Sequence, residues 1–467
     1  MLIKRLESLD SYKPLNVFEP FSGLPWSIWL DSSDSVHPNA KFDIIAWQPV
    51  ACIETTGRHT TVSTKSSGWA HLNQTSDDDP LAVLKSIERD IFQKHPLSSS
   101  ELPFNGGAIG YFSYDLGRRF EKLPVLAEND ISMPEMAVGI YLNALLFDND
   151  LQQWWLIAPE NEWNDIAANL DVIDVPDVSA GPDDLTPFAL TSQWHANMNE
   201  AAYANKFAQV QEYLRSGDCY QINLAQRFSA SYKGDEFDAY KTLREANKAP
   251  FSAFMRFDQT SVLSISPERF MWLSDGKVQT KPIKGTLPRG IDKETDQANA
   301  EQLSASTKDR AENLMIVDLL RNDISRVCVS GTVNVPKLFD IESFPAVHHL
   351  VSTVEGKLKD GLDGTDLIRA SFPGGSITGA PKIRAMEIIE ELEPHRRNLY
   401  CGSIGYLSAC GNMDTSITIR TLICQENKIH CWAGGGLVAD SKVSSEYQET
   451  FDKVGKILPT LQKKSDE

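Results

Sequence analysis

Cysteines are few, and their spacing suits neither a disulfide framework nor a zinc site. The 467-residue chain has seven, an odd number, and no two of them form a Cys-x-x-Cys pair. A small disulfide scaffold typically carries an even set of cysteines, and a zinc knuckle needs closely spaced pairs. We therefore expect the seven to be small core residues in a reducing compartment: Cys52, Cys219, Cys328, Cys401, Cys410, Cys424 and Cys431.

Long apolar runs are also absent. No stretch approaches the roughly 18 to 20 apolar residues that a membrane-spanning helix needs. The N-terminus, MLIKRLESLDSYKPL, lacks the apolar segment of a signal peptide. These absences predict a cytoplasmic location and no membrane partner.

Basic residues are scarce relative to acidic ones. Lys and Arg total 45 against 64 Asp and Glu, which gives a formal net charge of −19. This surplus of negative charge opposes binding to a phosphate backbone, so we expect no nucleic-acid partner. An anionic small molecule would have to be held by individual Arg and Lys side chains.

The composition is that of a large soluble enzyme, with 41% hydrophobic residues. Up to about residue 165, short apolar runs alternate with turn residues, which predicts strands and hairpins. Between Val172 and Gln193, Pro, Gly, Asp and Ser dominate and no periodicity survives, so we place a linker there. The prediction is an N-terminal region, 1–172, and a catalytic region, 194–463, that share one large core.

Four helices are predicted after the linker. Tyr203, Phe207, Val210 and Leu214 recur at helical spacing in a helix from about Asn199. The others span 308–322, which is apolar nearly all round from Leu314 to Leu320, then 381–393 with Pro381 at its first position, and 446–459. Strand-like runs lie between them with few crossover helices, which favours antiparallel pairing. We predict an α+β fold rather than a doubly wound sheet.

Two pairs of carboxylates recur at helical spacing. Asp309 and Glu312 are three residues apart near the start of one predicted helix, and Glu446 and Glu449 repeat the spacing on the last. Each pair lies on one face of its helix. Mg²⁺ takes oxygen ligands and usually one or two carboxylates. The alternative is a solvated acidic face.

Two glycine-rich segments offer backbone donors. Residues 372–382, FPGGSITGAPK, form a turn that leads into a helix, where free N–H groups suit an anion. The segment is not a Walker A loop, because Ile follows Lys382. Residues 432–436, WAGGG, and Arg420 add further donors, so a carboxylate ligand is favoured. Taken alone, the glycine-rich segments are also typical of tight turns, and Arg420 could also be a surface arginine in an ion pair.

Lys284 and Glu268 are candidates for covalent and acid catalysis. Lys284, in PIKGTLPR, can act as a nucleophile only when neutral, which requires burial or nearby positive charge. Glu268, in SPERF, could donate a proton to a leaving group if burial raised its pKa. The alternatives are a surface lysine and a salt bridge between Glu268 and Arg269.

Taken together, the motifs resemble the chorismate-utilising enzymes. The resemblance is close over 199–461 and looser through GGAIGYFSYD at 106–115. It is carried by CYQINLAQRF, SPERF, PIKGTLPR, KDRAENLMIVDLLRND, VHHLVS, FPGGSITGAPKIRAMEIIEELEP, CGSIGYLS, DTSITIRT, GGGLVADS and EYQETFDK. The resemblance implies two stacked antiparallel sheets flanked by helices, with the active site in the cleft between them.

The resemblance also implies roles for particular residues. It implies Mg²⁺ between Glu312 and Glu449, with Asp309 and Glu446 supporting it. Family members commonly have Glu at position 309, and the shorter Asp side chain weakens the case for direct ligation by this residue. His349 would approach the C4 hydroxyl of chorismate. The implied substrate-binding residues are Arg420, Tyr406, Thr378, Gln221 and the backbone at Gly434, Gly435 and Gly436.

Two positions distinguish the branches of the family. In anthranilate synthases this loop resembles PIAGT, whereas this chain has PIKGT, which contains Lys284. Isochorismate and salicylate synthases have a water-activating Lys where this chain has Gln221, and Gln cannot act as that base. The match therefore implies amination of chorismate at C4. In the implied mechanism Lys284 attacks C2, Glu268 acts as the acid and ammonia then attacks C4. The product would be 4-amino-4-deoxychorismate, a precursor of 4-aminobenzoate and folate. The alternatives are anthranilate synthase component I and a catalytically silent amino-acid-binding subunit.

No glutaminase signature occurs in the sequence. Use of glutamine would therefore require a partner glutamine amidotransferase that supplies ammonia. Relatives also imply an amino-acid pocket between the N-terminal region and the segment NKAPFSAFM (247–255). By position, a bound tryptophan would contact Ser32, Asn39, Ala40, Lys41, Phe42, Pro250, Phe251 and Ser252.

Overall fold

The computed structural model describes residues 1–33, 37–97, 101–171, 186–344 and 347–466. Its strands are β1 Leu2–Arg5, β2 Ser27–Asp31, β3 Phe42–Ala46, β4 Ala51–Thr56, β5 His59–Ser63, β6 Gln74–Ser76, β7 Gly107–Phe112, β8 Met136–Tyr141, β9 Ala144–Asp148, β10 Gln153–Ala158, β11 Ala189–Leu190, β12 His195–Ala196, β13 Gln221–Lys233, β14 Phe251–Arg256, β15 Ser261–Ser266, β16 Arg269–Ser274, β17 Lys277–Thr280, β18 Ile283–Pro288, β19 Asn334–Ser343, β20 Val347–Lys357, β21 Gly379–Ala380, β22 Ser403–Ser408, β23 Met413–Ile417, β24 Thr421–Gln425 and β25 Lys428–Leu437. Its α-helices are α1 Pro14–Phe18, α2 Pro80–Phe92, α3 Trp163–Asp171, α4 Glu200–Ser216, α5 Glu236–Asn247, α6 Lys293–Ala305, α7 Thr307–Ser325, α8 Gly364–Ser371, α9 Lys382–Leu392, α10 Val443–Asp452 and α11 Leu458–Asp466.

The strands of the described residues form two large sheets. One has 13 strands in the order β1-β10-β9-β3-β2-β14-β15-β24-β25-β13-β11, with β12 and β21 also paired to β13. The other has 12 strands in the order β18-β20-β17-β16-β23-β22-β7-β8-β4-β5-β6, with β19 paired to β20. The pairing is antiparallel, for example between β13 and β25 and between β2 and β14. The predicted α+β fold with antiparallel sheets is confirmed.

Both sheets combine strands from the two ends of the chain. In the first, β2 pairs with β14, and in the second, β7 pairs with β22. The largest hydrophobic cluster contains buried residues of both sheets, among them Ile28, Ile53, Met255 and Ile404. Burying this much apolar surface between the sheets is the main stabilising contribution.

Three of the predicted helices form close to their predicted positions. The helix α4 starts at Glu200 because the Asn199 side chain caps it by accepting from the N–H of Ala202. The helix α7 covers the predicted 308–322. The helix α9 starts at Lys382, so Pro381 is its N-cap rather than its first residue.

Two details of the helix predictions are wrong. The predicted helix 446–459 is two helices, α10 and α11, because Gly455 weakens a helix and Pro459 has no N–H to continue one. The helix α7 is not buried all round. Leu314 is 45% exposed, whereas Ile316 and Val317 are buried, since only one face of α7 packs on β20 and α8.

Three further predictions concern the linker, the membrane and the cysteines. The linker prediction falls largely on residues 172–185, which lie outside the described residues. Among the helices that the structure describes, none is long and apolar enough to span a bilayer. The cysteines are unpaired, and six are buried as predicted. The prediction of a core position is wrong for Cys410, which is exposed.

Candidate active site

Lys284 lies on β18, beside the loop that leads into α9. Its Nζ donates to the carbonyl of Ser376 at 3.4 Å. Burial lowers the pKa of Lys284 below its usual value, although the carboxylates of Glu312 and Glu268 act in the opposite direction. Because desolvation prevails, Lys284 loses its proton at a lower pH than a surface lysine does.

Glu268 lies between β15 and β16 and is 9% exposed. Burial raises its pKa to about 7, against the opposing effects of the positive charge of Lys284 and of a hydrogen bond from the N–H of Ile283. A carboxyl group that is protonated near neutral pH can donate that proton to a leaving group. Arg269 does not pair with it, because its guanidinium is bound to Asp414 at 2.7 Å.

The glycine that follows Lys284 is required by the geometry. Gly285 has φ +81°, in the left-handed region, and a Cβ at this position would lie 2.8 Å from Cγ of Asp309. The close approach brings the backbone beside Lys284 against the first turn of α7. The motif PIKGT therefore places the lysine next to one of the predicted carboxylate pairs.

The two carboxylate pairs face a common space. A Cβ on Gly435 of β25 would lie 3.3 Å from both Oε2 of Glu446 and Oε1 of Glu449. Burial raises the pKa of Glu312, and the negative charges of Asp309 and Glu446 raise it further. The helices α7 and α10 thus bring their acidic side chains toward one another.

These carboxylates already have some protein partners. The Ser306 hydroxyl donates to Asp309, and the Ser441 hydroxyl donates to Oε1 of Glu446 at 2.7 Å. Within the described ranges, no three His, Cys, Asp or Glu side chains converge closely enough to hold a metal ion by themselves. The donors are hard oxygens that repel one another, which fits a cation held by one or two carboxylates and completed by water or substrate.

Lys453 belongs to this site, although the sequence analysis did not select it. Its Nζ lies 2.7 Å from Oε1 of Glu449 and donates to the carbonyl of Gly434, also at 2.7 Å. Its charge contributes to lowering the pKa of both Glu268 and Lys284 after the larger effects of burial and other charges. The spacing of four residues between Glu449 and Lys453 in EYQETFDK was the available signal.

The guanidinium of Arg420 has no hydrogen-bond acceptor among the residues that the structure describes. Arg420 lies between β23 and β24 with φ +51°. Its carbonyl accepts from the N–H of Ile265, but its guanidinium makes no hydrogen bond or ion pair with a described residue. Its charge lowers the pKa of both Glu268 and His349, so it faces the same cleft. A free guanidinium near Glu268 suits bidentate binding of a carboxylate.

Gln221 lies against the glycines of β25. A Cβ on Gly436 would lie 2.0 Å from its Nε2, so only glycine leaves room for this side chain. Gln221 is 1% exposed, and its Oε1 has no hydrogen-bond partner among the described residues. A buried carbonyl oxygen without a donor is available to a ligand.

The loop that contacts Lys284 is held at both ends. Lys382 pairs with Asp323 at 2.6 Å and donates to the Ser371 carbonyl at 2.9 Å. Between the two ends, Arg397 donates to the Ile377 carbonyl at 3.0 Å. These buried cations fix the backbone that includes Ser376.

Thr378 and His349 have different positions relative to this loop. Thr378 is fully buried, and its hydroxyl donates to the Gly374 carbonyl at 3.0 Å, so it shapes the loop. His349 lies on β20, where its Nδ1 is 2.8 Å from the Thr286 hydroxyl. Burial and the charge of Arg420 lower the pKa of His349 to about 4, so the ring is neutral near pH 7.

A separate cavity of about 470 Å³ lies between the sheets. Of the residues predicted for an amino-acid pocket, six line it: Asn39, Lys41, Phe42, Pro250, Phe251 and Ser252. Ser32 lies behind the lining, where its hydroxyl donates to Asp43 at 2.6 Å. Ala40 is buried next to Asn39.

The structure places Tyr406 in this cavity and not beside Lys284. Its ring packs edge-on to Phe104 with centroids 5.6 Å apart. The ion pair between Arg269 and Asp414 also lines the cavity, and Arg269 donates to Asn39 Oδ1 at 3.0 Å. No local sequence pattern marks this pair, since the two residues are on different strands.

The chain is similar to known proteins over most of its length. The profile of the chorismate binding enzyme family matches residues 27–459. The chain is 54% identical over 446 residues to aminodeoxychorismate synthase component 1 of Escherichia coli (strain K12), covering 96% of this chain and 95% of the relative. It is also 54% identical over 445 residues to the protein of the same name from Salmonella typhimurium, covering 95% of each.

A solved structure shares both fold and sequence. The crystal structure of anthranilate synthase component I from Streptococcus pneumoniae TIGR4 matches with a TM-score of 0.77 and 34% identity, covering 90% of this chain and 92% of that one. With the family profile spanning most of the sequence, the chain belongs to the chorismate-binding enzyme family.

Proposed function

We propose that the chain aminates chorismate at C4, giving 4-amino-4-deoxychorismate through a covalent intermediate on Lys284. The observation that carries the proposal is the pairing of a buried amine of lowered pKa, Lys284, with a buried carboxyl group of raised pKa, Glu268. Together they supply a nucleophile and a proton donor in one cleft. The relatives of highest identity bear the name aminodeoxychorismate synthase component 1, which supports the same reaction.

In the first displacement, Nζ of neutral Lys284 forms a bond to C2 of the ring. Both double bonds of the ring shift by one position, the bond between C4 and its hydroxyl oxygen breaks, and Glu268 donates the proton that lets water leave. The Lys284 nitrogen then gives its extra proton to the Glu268 carboxylate. His349 is expected near the C4 hydroxyl, where a neutral imidazole can hydrogen-bond to it.

In the second displacement, ammonia attacks C4. Both double bonds shift back and the bond between C2 and Lys284 breaks. The leaving nitrogen takes the proton from Glu268, which restores the amine, and the new ammonium group at C4 returns a proton to Glu268. The enolpyruvyl group stays on the ring throughout. Two substitutions replace one direct exchange of hydroxyl for amine, which is the advantage of covalent catalysis.

Substrate and cation binding use the groups around this pair. Arg420 and the β25 backbone at Gly434 to Gly436 would bind the carboxylates of chorismate, and the free Oε1 of Gln221 would accept a hydrogen bond from a donor group of the substrate. Glu312 and Glu449, supported by Asp309 and Glu446, would hold Mg²⁺, which when bound supplies positive charge to the substrate oxygens. Asp309 has a shorter side chain than Glu, so we assign it a supporting role.

Ammonia is expected from a second protein. The relatives are named component 1, which implies that another component exists for them. We infer a glutamine amidotransferase as partner, with a separate lyase completing 4-aminobenzoate for folate. The unpaired cysteine thiols support a reducing, cytoplasmic location.

The 470 Å³ cavity is the candidate amino-acid pocket, and tryptophan is the proposed occupant. Its walls combine an aromatic ring, Phe251, with polar groups on Asn39, Ser252 and Arg269. A cavity that combines aromatic walls with polar and charged groups suits a large amino acid.

Incubation with chorismate, Mg²⁺ and ammonium, followed by identification of the product, tests the proposal. The expected product is 4-amino-4-deoxychorismate. Anthranilate would indicate the anthranilate synthase reaction, isochorismate would indicate hydration, and unchanged chorismate would indicate a silent subunit. Any of these three results would reject the proposal.

A further inference from the structure

His37 lies between the amino-acid cavity and the candidate active site. Its ring stacks on Phe344, with centroids 4.5 Å apart and planes at 13°. Phe344 in turn contacts the ring of His349, with centroids 5.6 Å apart and planes at 53°. The three rings therefore form a continuous row that ends at a candidate catalytic side chain.

Hydrogen bonds fix both ends of this row. On the cavity side, the N–H of Asn39 donates to Nδ1 of His37 at 3.0 Å, which sets the orientation of that ring. At the other end, Nδ1 of His349 lies 2.8 Å from the hydroxyl of Thr286, two residues beyond Lys284. The middle ring is held through its backbone, because Arg289 donates to the Phe344 carbonyl at 2.9 Å.

We propose that His37 is a positioning residue for His349, acting through Phe344. The stack fixes the Phe344 ring, and the fixed ring covers one side of the His349 imidazole. Phe344 directly follows β19, and His349 is on β20, which pairs with β19 at Glu342 and Ser343, so both rings lie at the corner where this strand pair ends. His37, from a distant part of the chain, supplies an external support for that corner.

The electrostatic surroundings favour a neutral ring at position 37. Burial lowers the pKa of His37 to about 4, and the charges of Arg269, Lys281 and His349 act in the same direction. A neutral imidazole stacks face to face on Phe without burying a charge. The row therefore persists across the pH range in which Lys284 and Glu268 titrate.

The inference rests on the proposed function only for its effect on turnover, so its test has a readout that does not need catalysis. Replacing His37 by Ala removes the stack, His37→Phe keeps a stacking ring, and Phe344→Leu removes the stack from the other side. All three are compared in the full chain by NMR titration of the His349 imidazole, assigned with His349→Gln. Arg420 and His348 also affect this titration and are unchanged in all variants.

In the unaltered chain, His349 should titrate near pH 4. The variants His37→Ala and Phe344→Leu should raise its pKa by about one unit, toward the ordinary value, because the imidazole becomes better hydrated. The conservative His37→Phe should leave it near 4. An unchanged titration in both stack-removing variants, or the same rise in His37→Phe, would overturn the proposal.

Turnover provides the second readout. His37→Ala should lower kcat about tenfold with little change in KM, since a misplaced catalytic group affects the reaction more than binding. In a His349→Ala background the same substitution should have no further effect on kcat. Equal loss in both backgrounds would contradict the proposal. Absence of product from the unaltered chain would instead reject the proposed function, while the NMR result still decides the role of His37.

Discussion

Lys284 and Glu268 shift each other's protonation inside one cleft. Burial lowers the pKa of the Lys284 amine, and it raises the pKa of the Glu268 carboxyl group to about 7. The pair with both groups charged and the pair with both groups neutral contain the same number of protons. Their ratio therefore does not depend on pH, although only the neutral pair can attack and protonate.

Formation of the lysine adduct should show a bell-shaped pH dependence. Below about pH 7 the pair gains a proton on Glu268 while Lys284 stays charged. At high pH the pair loses a proton, and no acid remains for the leaving hydroxyl. Single-turnover adduct formation without ammonia measures this directly, because ammonia itself titrates.

The variant Glu268→Gln identifies the acid. It should slow adduct formation by about 10² to 10⁴, and the alkaline limb should disappear because Gln does not titrate. The remaining acid limb should move to lower pH than the Lys284 titration of the unaltered enzyme, since the Glu268 carboxylate raises the pKa of Lys284. An alkaline limb that persists would show that another group supplies the proton.

Gly285→Ala tests the packing of β18 on α7. The new Cβ would lie 2.8 Å from Asp309 Cγ at a left-handed φ, so the backbone beside Lys284 must move. We expect about a 10²-fold loss of kcat from this displacement. Gly276→Ala is the matched control, because Gly276 also has a positive φ, +72°, but nothing lies within 4 Å. It should cost about 1 to 2 kcal/mol of stability without comparable loss of activity; equal losses of activity would contradict this account.

Lys382→Met should destabilise the fold strongly. It leaves Asp323, whose side chain is 4% exposed, without its partner. Breaking such a buried pair costs about 3 to 5 kcal/mol, measured as the free energy of unfolding in urea. On α7, the helix that carries Asp323, the variant Arg321→Ala removes an exposed ion pair with Asp318 and should cost under about 1 kcal/mol. Similar losses for both variants would show that the Lys382 pair does not anchor the loop.

Glu449→Gln tests the proposed cation site. The Mg²⁺ concentration that gives half-maximal activity should rise about 10- to 100-fold, because one charged ligand is lost. Asp452→Asn, at the exposed end of α10, is the control and should leave that concentration unchanged. An unchanged Mg²⁺ dependence in Glu449→Gln would place the ion elsewhere.

Local patterns in the sequence predicted the elements well where local physics decides them. The cap at Asn199 and the antiparallel strands follow from side-chain type and alternation. The division of the last helix was also predictable from the sequence, since Gly455 and Pro459 both disfavour a continuous helix. The exposure of Leu314 was not predictable, because burial depends on which face of α7 another element covers.

The site was harder to predict because its contacts join distant segments. The ion pair of Arg269 with Asp414 and its hydrogen bond to Asn39 cross from one strand to others, and no local pattern marks them. Lys453 was visible only as a helical neighbour of Glu449, a spacing typical of ordinary surface pairs. The side on which the Tyr406 ring lies depends on the register of β22 with its neighbours.

The most direct test of the account is intact-mass analysis of the enzyme mixed with chorismate and Mg²⁺ in the absence of ammonia. The account predicts an adduct on Lys284 with the mass of chorismate less one water. It also predicts that Lys284→Ala forms no adduct and has lost amination. A variant Lys284→Ala that aminates chorismate at the full rate, with no adduct in the unaltered enzyme, would contradict it.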